Sequence, residues 1–273
     1  MRRLLAALFP LRWKRSLAEA RRLLASDQPA PPGTGQRVDG WLGSPAWPVR
    51  NAAVKLIAHF GDEGRAPRLR QKLLDRSEAG IVRRNAATAL ARMGLVDAET
   101  RAALLKALDD PYWEVRAEAA RALAALFAPD ADLEAAGLDL LYGHHRANGR
   151  PRVREANFEV RMAAARALGH LGTGDAAFAA LVELAHDDSW PVRSQAAAAL
   201  AHLATRLPRY RDQARERLRS LDRQSEGAVS YFVHRDVLGR ALRTVRKGGH
   251  QPPPEELTAL YLNPKAGWNH VRR

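Results

Sequence analysis

The chain has no cysteine, which excludes disulfides, thiolate metal sites and cysteine nucleophiles. Aromatic residues make up only 6% of its 273 residues, and methionine occurs three times. No stretch approaches the ~18 consecutive apolar residues of a membrane-spanning helix. The apolar run Leu4–Leu11 is short, interrupted by Pro10, and followed at once by Arg12, Lys14 and Arg15. A secretory leader has a longer apolar core ending at a small-residue cleavage site. These features predict a soluble, cytoplasmic protein whose basic N-terminal helix could touch a membrane surface. Sustained period-two alternation is absent too, which argues against strands.

Acidic residues are also in short supply: 44 Lys and Arg face 30 Asp and Glu, a formal charge of +14. The excess is uneven, at +6 over residues 1–38, −1 over 39–142 and +9 over 143–273. An acidic partner would therefore be sought at the two ends. Arginine outnumbers lysine 38 to 6 in an alanine-rich chain, a bias that GC-rich coding also produces.

What the chain has in plenty is repetition. The pair Val-Arg recurs as Val49-Arg50, Val82-Arg83, Val115-Arg116, Val160-Arg161 and Val192-Arg193, at spacings of 33, 33, 45 and 32 residues. Four residues after each valine stands Ala53, Ala86, Ala119, Ala164 or Ala196. Eight after stands Ile57, Leu90, Leu123, Leu168 or Leu200, and eleven after Phe60, Met93, Leu126, Leu171 or Leu203. This i, i+4, i+8, i+11 series is the apolar stripe of an amphipathic helix. Gly61, Gly94 and Gly172 follow one residue later, suited to a left-handed helix stop. Apolar-periodic segments at 68–75, 101–110, 133–143 and 176–188 precede four of these helices, so the unit is helix–turn–helix.

The segments "DDPYWEVRAEAARALAAL" and "DDSWPVRSQAAAALAHL" resemble the HEAT-like repeat of the phycobilisome-lyase (E-Z) type over roughly residues 45–205. The resemblance implies an all-α, right-handed α-solenoid of about five helix pairs with degenerate capping helices, the second helix of each pair lining a concave surface. The domain reading is a basic amphipathic helix or cap at 1–25, a proline- and glycine-rich linker at 26–44, and a solenoid at 45–247. A basic loop is inserted at 143–157, and a loosely attached tail occupies 248–273. In the last repeat Val229, Val233 and Val237 continue the stripe and Arg240 falls on a core position.

Arg50, Arg83, Arg116, Arg161 and Arg193 border the apolar stripe. They are read as a structural ladder to the carbonyls and to Asp75, Asp109, Asp110, Asp187 and Asp188 of the turns preceding the repeats. The partner-binding candidates lie on the opposite side of the second helices: Lys55, Arg84, Arg121 and Arg166, with His59, Arg92, His170 and His202 at the next edge. Between them runs a small-residue floor of Ala58, Ala91, Ala124, Gly169 and Ala201. Trp47, Trp113 and Trp190 precede three Val-Arg pairs; burial favours packing against the adjoining turn, and exposure would make them contact residues. A nucleic-acid surface would use Arg146, Arg150, Arg152 and Arg154 of the inserted loop with Arg209, Arg211, Arg215 and Arg219.

Successive repeats lie ~8–10 Å apart, too far for one row of histidines to share an ion, so no metal or other cofactor is expected. No Gly-rich phosphate loop or nucleophile–base grouping stands out. Deoxyhypusine hydroxylase, a HEAT-like enzyme, takes its iron ligands from His-Glu dyads, and no His-Glu dipeptide occurs here. Phycobilin lyases share the repeat, but the repeat does not carry their activity, and no motif of the HEAT-like alkylpurine DNA glycosylases maps onto the sequence. The expectation is a non-catalytic scaffold, monomeric or weakly oligomeric, that binds an acidic protein partner, with nucleic-acid binding as the alternative.

Overall fold

The structure is a computed structural model that describes residues 2–143, 153–227 and 235–247. Among these there are thirteen α-helices, two short 3₁₀ turns and no strand, so the fold is all-α. Two compact units divide the chain, Met1–Ala122 and Leu123–Arg273.

In the first unit, α1 (Arg2–Leu24) packs against α3 (Trp47–Phe60), with Ala20 fully buried. Three helix pairs follow. They are α2 (Thr34–Leu42) with α3, α4 (Ala66–Leu74) with α5 (Gly80–Arg92), and α6 (Ala98–Ala107) with α7 (Trp113–Leu126), whose last turn passes into the second unit. Stacking places α3 on α5 and α4 on α6. The second unit pairs α8 (Ala131–Tyr142) with α9 (Phe158–Leu171), α10 (Asp175–Leu184) with α11 (Trp190–Arg206), and α12 (Arg211–Gly227) with α13 (Arg235–Lys247). Here α9, α11 and α13 pack in that order, and α11 is buried on nearly every side.

The apolar stripe dictates this stacking. Val49, Val82, Val115, Val160 and Val192 are all fully buried, as are the alanines four residues on. Alanine at that turn keeps neighbouring helices close, and the leucine or isoleucine at the eighth position fills the space beyond it. Helix ends are set by local chemistry. Asp97, Asp130 and Asn157 accept hydrogen bonds from the first-turn amides of α6, α8 and α9. Pro48 and Pro191 occupy the first turns of α3 and α11, where no amide donor is needed.

Three expectations are revised. The stretch 26–44 is not a linker throughout, because α2 lies within it. Its Val38, Trp41 and Leu42 form an i, i+3, i+4 stripe buried with α3, and Thr34 Oγ1 donates to Pro31 O at 2.6 Å. Gly172 does not take a left-handed conformation, having φ −60°, whereas Gly61 and Gly94 do, at 63° and 68°. A Cβ at Gly172 would instead meet the Cβ of Ala177 and Leu168 O, each at 2.5 Å, so glycine is there for space. In α13 the buried stripe is Leu238, Ala241 and Val245, not the register continuing to Arg240, which is exposed. Val229 and Val233 lie outside the described residues, as does the tail 248–273.

A close approach between helices of the second unit is that of Gly169 on α9 to Ala199 on α11, where an added Cβ would sit 2.8 Å from the alanine Cβ. Gly169→Val is expected to lower the unfolding free energy by about 1–3 kcal/mol through overpacking. Gly61→Ala, whose Cβ would meet nothing within 4 Å, should cost no more than the strain of its left-handed backbone. Urea unfolding followed by circular dichroism measures both.

Candidate functional site

The Val-Arg arginines do not reach outward. Arg50 donates from Nε and Nη2 to the two carboxylate oxygens of Glu78, both at 2.7 Å. Arg83 grips Asp110 in the same two-pronged way at 2.8 Å, and Arg161 grips Asp187 at 2.7 and 2.8 Å with Asp188 added at 2.9 Å. Every one of the five also turns a guanidinium nitrogen back on its own preceding turn. Arg50 meets Ser44 O at 2.6 Å, Arg116 meets Asp110 O at 2.9 Å, Arg161 meets Glu155 O at 3.1 Å and Arg193 meets Asp187 O at 2.7 Å, while Arg83 donates to Glu78 O.

Three of these turns, at Glu78, Asp110 and Asp187, are therefore junctions. The carboxylate of each takes the arginine of the preceding repeat and also accepts a local amide: Ala79 N on Glu78, Tyr112 N on Asp110, Ser189 N on Asp187. The carbonyl of each takes the arginine of its own repeat. The acid thus lies in the turn before the next repeat's Val-Arg helix, 26–28 residues ahead, and the arginine's own preceding turn contributes carbonyls instead. In the first junction the acid is Glu78 rather than Asp75, which holds Ser77. Burial pushes the Glu78 carboxyl up, but hydrogen bonds from Arg50, Lys72 and the Ala79 amide outweigh it and hold the group at about 2.

The proposed partner-binding residues divide into three groups. Lys55 and Arg92 are exposed. Arg84 and Arg121 are partly buried and matched by acids, Arg84 to Glu114 at 3.0 Å and Arg121 to Glu118 at 2.9 Å, with Thr88 donating to Glu118 as well. His59 is turned onto Ser26 O at 3.0 Å. The third group is on α9 and α11, where the structure departs from a solvent-facing edge. His202 is only 5% exposed, and His170 is mostly buried beside it. Their ring centroids are 4.2 Å apart. The two rows of the repeat do converge here, because glycine against alanine lets α9 and α11 approach and the side chains lean together across the contact. Arg166 and Arg206 complete the cluster, Arg206 donating to Gly172 O at 2.7 Å and Gly169 O at 3.1 Å.

The tryptophans do not form one class. Trp47 is 47% exposed, whereas Trp113 and Trp190 are partly buried. Of the nucleic-acid candidates, Arg146, Arg150 and Arg152 lie outside the described residues and Arg154 is exposed. Arg209 lies 4.8 Å from the Tyr210 ring centroid and donates to Thr173 O. On α12, Arg211 is partly buried, Arg215 pairs with Asp212 at 3.1 Å and Arg219 is exposed. That helix carries five arginines against four acids, so its field is nearly neutral. By contrast α13 has five cationic residues and one acid, and Arg240, Arg243 and Arg246 are all exposed. Among the described residues no three potential ligands are grouped to hold a metal, and no helix is long and apolar enough to cross a membrane.

Two outcomes follow from these environments. Arg83 and Asp110 have side chains 6% and 3% exposed. Arg83→Met should destabilise the protein by about 3–5 kcal/mol by stranding a buried carboxylate, whereas exposed Arg209→Met should stay within about 0.5 kcal/mol; chemical denaturation compares them. Burial, reinforced by the neighbouring positive charges, lowers His170 to about 3 and His202 to about 4 from 6.5. Above pH 6.5 both are neutral in either state and do not affect folding. Below it the unfolded chain takes up protons that the folded chain refuses, so stability falls by up to about 1.4 kcal/mol per histidine per pH unit until the folded values are reached. His202→Phe should flatten the decline of melting temperature between pH 6.5 and 4.

The sequence matches the family of HEAT repeats over residues 37–124 and 150–226. No curated protein matches. Among solved structures, an engineered protein is 25% identical with a TM-score of 0.50, covering 78% of this chain and 97% of its own. The complex of CpcE and CpcF of phycocyanin lyase from Nostoc sp. PCC7120 is 19% identical with a TM-score of 0.39, covering 81% and 98% respectively. With paired helices, buried Val-Arg stripes and a family match over more than half its length, the chain belongs to the HEAT-repeat family.

Proposed function

We propose that this protein is a non-catalytic HEAT-repeat adaptor whose partner is an acidic protein segment. The observation that carries the reading is α13. Its apolar stripe is committed to α11, while Arg240, Arg243 and Arg246 stand exposed at i, i+3 and i+6 on a helix whose one acid, Asp236, lies at its start. Three residues of helix rise about 4.5 Å, close to the separation of acidic side chains at i, i+3 and i+4 on a partner helix. The junction acids Glu78, Asp110 and Asp187 are consumed internally, so the surplus positive charge is left to the outer surface. Lys55 and Arg92 supply a further cationic edge in the first unit.

The nucleic-acid reading draws less support, since the arginines of α12 are interleaved with acids. A fluorescent helical peptide with glutamates at i, i+3 and i+7 is the probe. The triple variant Arg240→Glu, Arg243→Glu, Arg246→Glu should weaken its binding by at least about a hundredfold, on the order of 1 kcal/mol per reversed charge, and Lys55→Glu with Arg92→Glu by less. Equal binding by the triple variant, or preference for single- or double-stranded DNA with a steep salt dependence, would refute the assignment.

A further inference from the structure

Helix α13 ends at Lys247, and the chain that follows carries the complement of its charge. Residues 248–273 lie outside the described residues; in their sequence the acids are the adjacent pair Glu255 and Glu256. Several acids elsewhere in the second unit serve the repeats themselves. Glu134 accepts from Thr173 and from Ala177 N, Glu183 from Tyr142 and Asp187 from Arg161, while Asp212 and Glu216 pair with Arg215 and Arg223. The face of α13 has the opposite balance: Arg240, Arg243 and Arg246 are exposed, and Asp236 stands at the start of the helix.

The sequence between α13 and the acid pair suits a return along the helix. Gly248 and Gly249 come directly after Lys247 and permit a reversal of the chain without steric cost. From Lys247 to Glu255 is eight residues, a reach of up to about 26–29 Å. From Lys247 back to Arg240 the helix rises about 10.5 Å, so every arginine of the face lies within that reach. A link this short holds the acids near the arginines at an effective concentration on the order of millimolar, against which a free segment must compete. We propose that Glu255 and Glu256 dock on the arginine face of α13 and act as an internal competitor of the acidic partner. The competition rests on the adaptor reading above, whereas the docking does not.

The absence of cysteine provides the test. In the full chain, Thr258→Cys takes a single nitroxide spin label two residues beyond Glu256, and the backbone amide signals of α13 are followed by NMR. The expected result is broadening of the α13 signals at low salt. They should recover at high salt, where exposed charge pairs are screened, and when Glu255→Gln and Glu256→Gln are added. Without the label, the same glutamine pair should tighten binding of the helical glutamate peptide by at least about threefold, because no fraction of the chains then has its face covered. Unbroadened α13 signals, or broadening that the glutamine pair leaves unchanged, overturn the docking. Broadening that appears between labelled and unlabelled copies overturns it too, since the tail then acts on a second molecule. Docking with an unchanged peptide affinity in the glutamine pair overturns the competition. Docking with no peptide binding by either form leaves the tail contact standing and removes the adaptor reading instead.

Discussion

The arrangement depends on one interaction, the two-pronged clasp between the arginine of one repeat and the carboxylate in the turn of the next. A stack of amphipathic helix pairs held by alanine and leucine alone would slide, because small apolar side chains specify register weakly. The guanidinium supplies what the apolar stripe lacks, a planar group that fits only one position of the neighbouring turn. Since the same turn gives its carbonyl to its own arginine, each junction ties three things together: the end of one helix, the start of the next and the adjoining repeat. The pairs are largely buried, so their worth lies in specifying the stack as much as in stabilising it.

This clasp also sorts the charges. Glu78, Asp110 and Asp187 are withdrawn from the surface into the lattice, and Glu114 and Glu118 are engaged by Arg84, Thr88 and Arg121. A chain that is strongly basic in composition thus becomes selectively basic in space. Arg84 and Arg121 are matched by acids on the second helices of the first unit, while Lys55, Arg92 and Arg240, Arg243 and Arg246 of α13 are exposed. The exposed face of α13 is where an anion would lower the free energy most.

Much of the fold was legible from the sequence because a repeat reports itself several times over. The Val, Ala, Leu series located α3, α5, α7, α9 and α11, and the border position of the arginines identified them as structural. Three features escaped for physical reasons. Helix α2 was masked by Pro31, Pro32 and Gly33, which shape the turn before it, and by Gly35 and Gly40 within it; its three-residue apolar stripe was the available signal. The register of α13 was set by tertiary contact with α11 rather than by its own valines. The convergence of His170 with His202 depended on a glycine facing an alanine, a distance that repeat spacing does not encode. Of the junction acids, Asp110 and Asp187 were among those the sequence offered, whereas Glu78, five residues before Arg83, takes the place expected for Asp75.

The most direct measurement of this account is a double-mutant cycle on the Arg161–Asp187 clasp, using Arg161→Met, Asp187→Asn and both together, with unfolding free energies from urea titration. If the clasp joins the repeats, each single change is costly and the double change costs less than their sum by about 2–3 kcal/mol, at the upper end for a coupled pair. Additive effects within about 0.5 kcal/mol would show that the apolar stripe alone holds the stack and would contradict the account.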